Sequence, residues 1–165
     1  MKKIIKTLTL IMALFVATHA NAQWSISKIE ADELKGNQEY YASVYQDKQG
    51  YATFWSNDAY FKIGINEGLG TFKNCGGGHV ICIVGLYVGD KLVKKYSQVY
   101  FYIGDMAKTA TMVNRWSLAQ KIIEHLQKKG DVRILAPRFG DPDLDLRIPM
   151  NKDLKYDPPM APLFY

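Results

Sequence analysis

The stretch Val80-Ile81-Cys82-Ile83-Val84-Gly85-Leu86-Tyr87-Val88-Gly89-Asp90-Lys91-Leu92-Val93-Lys94-Lys95-Tyr96-Ser97-Gln98-Val99-Tyr100-Phe101-Tyr102-Ile103 decides the fold. Its first half, Val80 to Val88, is almost wholly apolar, relieved only by Gly85 and Tyr87. A short run of this kind suits a central strand buried on both faces, or one packed between a sheet and a helix. Gly89-Asp90-Lys91 turns the chain, and Leu92 to Ile103 returns as a long strand. Strict alternation places Tyr96, Gln98, Tyr100 and Tyr102 on one face, and Ser97, Val99, Phe101 and Ile103 on the other.

Working outward, the same reading repeats. Upstream, Tyr40 to Tyr45 and Tyr51 to Trp55 are β-branched and aromatic runs joined by Gln46-Asp47-Lys48-Gln49-Gly50, a hairpin signal. Tyr60 to Ile65 is a third strand, Trp24 to Ile29 begins the folded part, and Thr71-Phe72-Lys73 is a short extended piece. Downstream, Thr109 to Val113 reads as another strand. Between about 114 and 129, Leu118, Ala119, Ile122, Ile123 and Leu126 recur at offsets of three and four, the stripe of an amphipathic helix. Asn114 or Ser117 suits its cap, and Gly130 a left-handed stop. Asp131 to Ala136 is a strand ended by Pro137, Arg138 to Pro142 a turn, and Asp143 to Ile148 alternates with Leu144, Leu146 and Ile148 inward. Three prolines within positions 158–162 preclude regular structure at the end. The expectation is a mainly β, α+β chain: an antiparallel β-sandwich of seven to nine strands with one late helix, spanning 23–150 as a single domain, followed by a proline-rich extended tail at 151–165.

The first 22 residues read as a cleaved signal peptide. Lys2, Lys3 and Lys6 form a positive start, Leu8 to Ala17 an apolar stretch broken only by Thr9, and Ala20-Asn21-Ala22 a small-residue cleavage site. The apolar stretch is about half the ~20 residues a spanning helix needs, and no cysteine stands at the cut to carry a lipid. The expected product begins at Gln23, without a membrane anchor, in the periplasm or outside the cell. Three of the 21 basic residues lie in this leader, so 18 basic face 16 acidic residues and the net charge falls from +5 to +2. That is too weak a field for a nucleic-acid partner.

The chain Ser117 to Leu126, then Asp131 to Pro137, then Leu144 to Pro149 resembles the closing segment of small exported β-sandwich proteins of the invasion-associated locus B group and the accessory VasI group of type VI secretion. The resemblance implies an exported sandwich with an interaction role, and it carries no catalytic residue.

Cys75 and Cys82 flank Gly76-Gly77-Gly78-His79. In an oxidising compartment an even, close pair reads first as a disulfide, with the glycines supplying the turn. A zinc site using Cys75, His79 and Cys82 falls one ligand short of four, with His125 the only other histidine after the leader. A redox pair would have Cys-x-x-Cys spacing at a helix start. Two free buried thiols are the remaining reading.

Catalytic patterns are sparse. No Gly-x-Ser-x-Gly elbow exists, and His125 sits at the edge of the helical stripe as a flanking histidine half covered by the sheet. Asp141, Asp143 and Asp145 alternate like the start of a calcium loop, but Leu146 and Lys152 stand where the loop needs Gly and Glu. No catalytic residue, metal ligand or cofactor is assigned. The aromatic wealth is the one functional signal: Tyr96, Tyr100 and Tyr102, with Tyr41, Tyr45 and Trp55, form the candidate binding face, because exposed Tyr and Trp give rigid contact area. The competing reading places most of them in the core, where β-propensity favours them. The expected function is non-catalytic binding of a protein or an envelope glycan, with a small secreted hydrolase or a carbohydrate-active or carbohydrate-binding protein as the alternative.

Overall fold

The structure is a computed structural model that describes residues 22–36, 38–56, 61–112, 116–140 and 142–156. All of the leader but Ala22 lies outside the described residues, as do 157–165 of the tail, Asp141 and Asn114. Among the described residues eleven strands and one α-helix follow in order: β1 (Gln23–Ile29), β2 (Tyr40–Gln46), β3 (Gly50–Trp55), β4 (Phe61–Ile65), β5 (Thr71–Phe72), β6 (His79–Val88), β7 (Lys91–Ile103), β8 (Thr109–Met112), α1 (Trp116–Lys128), β9 (Val132–Ala136), β10 (Arg138–Phe139) and β11 (Leu144–Ile148). Nine of the strands form one antiparallel sheet in the order β1-β2-β3-β4-β8-β7-β6-β9-β11, and β5 with β10 forms a two-stranded ribbon.

The sheet curls on itself, giving the sandwich-like α+β architecture that the alternating runs predict. Among the described residues β8 pairs with β7 at Phe101, Tyr102 and Ile103. At the far ends the Trp24 indole donates to the Pro149 carbonyl at 3.1 Å, and the Asp145 amide donates to the Gln49 side-chain oxygen at 3.0 Å. The enclosed core holds Phe54, Phe61, Val80, Cys82, Val84, Phe101, Ile134, Leu144 and Leu146, one from every second position of their strands. The aromatic seam is continuous, with Phe54 stacked on Phe61 at 4.7 Å and Phe61 edge-on to Phe101 at 5.8 Å.

The helix turns Leu118, Ala119, Ile122, Ile123 and Leu126 into this core. Each fully buried Ile or Leu contributes roughly 1.5–3 kcal/mol, so this stripe rather than intrinsic propensity holds α1 in place. The chain after β11 runs back against it: the Asn151 amide donates to the Leu126 carbonyl at 2.8 Å, and Gln127 donates to the Leu154 carbonyl at 2.8 Å. Residues 151–156 of the expected tail are thus partly docked, with Leu154 buried and Tyr156 packed on the core.

Four local expectations change. β6 is buried on one face only, its outward Ile81 and Ile83 being half-buried. Arg138 and Phe139, read as a turn, make the short ribbon with β5, because the buried Arg138 side chain ties the loop by donating to the Leu69 and Pro142 carbonyls. Ser117 lies inside the first helical turn and is not the cap. Gly130 is not among the left-handed glycines; a Cβ there would fall on the Tyr87 carbonyl, so glycine serves a close backbone approach.

Candidate functional site

The outer face of β6, β7 and β9 is the candidate contact surface. Cross-strand partners share a face of a sheet, so the register sorts the side chains. His79 lies opposite Tyr102, Ile81 opposite Tyr100, and Cys82 opposite Val99; then Val84 lies opposite Tyr96. Two steps along β6 therefore match three along β7, a bulge at Ser97-Gln98 that reverses the face of Tyr96, Lys95 and Lys94, until a second shift at Val93 returns Leu92 to the outer face. Tyr96 thereby joins Val84 on the inner side, half-buried and packed against the core. Tyr100 and Tyr102 stay outside, 40% and 57% exposed. Strict alternation put all three on one face; the bulge is the correction. Its signal in the sequence is Ser97-Gln98 itself, two successive polar residues, both exposed, just before the alternation that begins at Val99.

The His79 ring stands edge-on to both tyrosines, 5.7 Å from Tyr102 and 6.5 Å from Tyr100. Further along, Ile83, Leu135, Tyr87 and Leu92 surround Gly85, whose missing side chain leaves a shallow concavity of about 170 Å³. Lys95 and Arg133, both opposite Gly85, rim it. Arg133 holds Asp145 in a two-pronged pair, Nε to Oδ1 at 2.8 Å and Nη2 to Oδ2 at 2.6 Å. Those bonds pull the Asp145 carboxyl below its ordinary range and raise the Arg133 guanidinium, the Tyr87 side chain adding to the latter. Arg147 stacks over Tyr87 at 5.3 Å while bonding Asp131, so both arginines beside Tyr87 are committed to local pairs and Lys95 is not.

The other candidate aromatics do not join this surface. Tyr45 is 4% exposed, tilted against Trp24 at 5.5 Å, and burial raises the pKa of its hydroxyl; it is a core residue. Tyr41 and Trp55 are half-buried at the start of β2 and the end of β3, which face one another in the hairpin. Tyr41 lines a separate groove of about 440 Å³ with Tyr40, Ser56, Leu154 and Tyr156.

The expected disulfide is absent: Cys75 and Cys82 are free thiols. Gly76, Gly77 and Gly78 all take positive φ and close so tight a turn that the Cys75 amide donates to the His79 carbonyl at 2.7 Å. Cys75 is thus matched to His79, and Cys82 lies roughly 10 Å further along the strand, beyond the Cα separation a disulfide bridges. Cys75 is exposed, while Cys82 points into the core, where burial pushes its thiol well above the ordinary range and Cys75 adds a smaller rise.

His125, expected as a half-covered flank, is 4% exposed and bonded to the Tyr87 carbonyl. Asp143 is exposed and Asp145 is engaged by Arg133; among the described residues no three His, Cys, Asp or Glu side chains converge as metal ligands. Among them, too, no helix is long and apolar enough to cross a membrane. Comparison with known protein families, curated proteins and solved structures finds no match to this chain.

Proposed function

We propose that this chain is an exported, non-catalytic binding protein whose contact surface is the outer face around Tyr100, Tyr102 and His79. One observation carries the reading: two tyrosines, at alternate positions of the central strand β7, stand exposed on its outer face without serving the core. Aromatic side chains held by a rigid sheet lose little entropy on contact, which suits recognition of a protein or the face of a sugar ring. The alternative of a small hydrolase draws less support, because His125 is engaged with a backbone carbonyl and His79 with two tyrosine rings. The export part of the reading rests on the leader sequence alone.

The test compares the purified protein with its Tyr100→Ala/Tyr102→Ala variant in sedimentation with purified peptidoglycan and in pull-down from an envelope extract. The expected result is capture by the parent protein and loss of capture by the variant at an unchanged melting temperature. Equal capture by both would remove the tyrosine face from the function.

A further inference from the structure

From Val88 to Lys95 every residue is exposed, the longest such run within a strand pair of this fold. Among the described residues β8 reaches β7 at Phe101 to Ile103, and β9 reaches β6 from Ile83 to Leu86. The end of the β6–β7 hairpin is thus open along β7, while its β6 side is held by the body: Arg147 donates to the Gly89 carbonyl at 3.3 Å, and Gly130 abuts the Val88 backbone. Water-facing hairpin tips are normally polar, yet this one carries Val88, Leu92 and Val93, 49%, 44% and 47% exposed. Single exposed apolar residues are ordinary; three within six positions at one hairpin end are a patch.

The apolar side chains are not confined to one side. Leu92 is paired with Tyr87 and lines the outer concavity, whereas Val88, next along β6 and paired with Lys91, points the other way. Lysines surround them. Lys94 shares the inner face with Tyr96, its Nζ 5.8 Å from the ring centre, and Lys95 lies on the outer face opposite Gly85. Among the described residues Lys91, Lys94 and Lys95 form no ion pair, and the one carboxylate at the tip, Asp90, is answered by Arg147 at 3.6 Å.

We infer that this tip docks on an anionic phospholipid surface, with Val88, Leu92 and Val93 entering the headgroup boundary and Lys91, Lys94 and Lys95 lying against the phosphates. An end that exposes apolar side chains on both faces beside three lysines suits a soft interface that reaches both faces, which a flat protein surface does not. A ring of unpaired cations selects negative headgroups and falls off within a Debye length. A free phosphate would answer the lysines but leave the apolar side chains in water. A second copy of the chain would set lysines against lysines. The tip lies seven positions along β6 from Ile81, the partner of Tyr100, so it is a different surface from the tyrosine face.

The test is co-sedimentation of the full protein with vesicles of phosphatidylcholine alone or mixed with phosphatidylglycerol. Binding is expected only to the mixed vesicles, falling as salt is raised. Replacing one lysine by Ala weakens it about fivefold, and Lys91→Glu/Lys94→Glu/Lys95→Glu abolishes it. Leu92→Ser/Val93→Ser, at positions 44% and 47% exposed, weakens it while the protein stays folded by circular dichroism. Tyr100→Ala/Tyr102→Ala leaves it unaltered, so failure of this inference and failure of the tyrosine-face reading are separately visible. Equal binding to both vesicles, indifference to the Leu92/Val93 change, or displacement by soluble glycerol phosphate would each overturn lipid docking.

Discussion

The Nε2 of His125, on α1, lies 2.8 Å from the main-chain carbonyl oxygen of Tyr87, next to the exposed end of β6. The same carbonyl is crowded by Gly130, and the Tyr87 amide donates to the Asp131 carbonyl at 2.9 Å. Helix end and strand end are thus clamped at one residue. Because a carbonyl only accepts, Nε2 carries a proton and the ring acts as a fixed donor within the core.

His125→Ala removes the donor, leaves the Tyr87 carbonyl buried without it, and opens a void under α1. The expected loss is about 1–3 kcal/mol of stability, read as a lowered midpoint in urea. A variant as stable as the parent would show that the clamp contributes nothing.

Gly130→Ala places a methyl group against the Tyr87 carbonyl, backbone against backbone, where neither side has a rotamer to change. Overpacking of this kind costs about 1–3 kcal/mol. Were Gly130 only a helix stop, alanine would cost a fraction of that, so thermal melting of this variant decides between the two roles.

The two thiols differ in access. Titration of the native protein with a water-soluble disulfide reagent is expected to show one fast group, Cys75, and one that reacts only on unfolding, Cys82. Finding neither thiol until a reductant is added would mean that the two are bridged after all. Cys82→Ser, which buries a hydroxyl opposite Val99, destabilises; Cys75→Ser does not.

Tyr96 and Tyr102 separate core from contact surface. Tyr96→Ala is expected to cost on the order of 1–3 kcal/mol, since the ring packs on the core beyond the bulge. Tyr102→Ala, at an exposed position, should stay within about 0.5 kcal/mol. Similar losses in chemical denaturation would place both rings on one face and contradict the bulge.

The Arg133–Asp145 pair gives an acid-side dependence. The folded carboxyl titrates below its ordinary value, so the native state binds fewer protons than the unfolded chain as pH falls towards that range. Its contribution is full above the ordinary carboxylate pKa of about 3.9 and disappears as pH drops through the lower folded value. With both side chains about two-fifths exposed, 41% and 38%, solvent screens the pair and limits its worth to about 1 kcal/mol or less. In Asp145→Asn the melting temperature should fall less between pH 5 and pH 2 than in the parent; parallel curves would remove the pair from the acid response.

By itself the sequence determined the elements: period-two runs such as Asp143 to Ile148 and the three-four stripe from Leu118 to Leu126 are local patterns, set by which side chains must leave water together. It determined the mainly β class and the order of the strands along the chain for the same reason. Only the tertiary structure decided which aromatic faces outward, because one extra residue at Ser97-Gln98 turns Tyr96 to the face opposite Tyr100 and Tyr102 and leaves hydrophobicity unchanged. Tyr45 and Tyr102 are chemically alike, and their opposite fates follow from which strand lies across from each. The thiols stayed apart because a turn through three left-handed glycines closes on His79, a geometry that spacing does not encode. Gly130 is glycine for Tyr87, a partner 43 positions away that folding alone brings within reach.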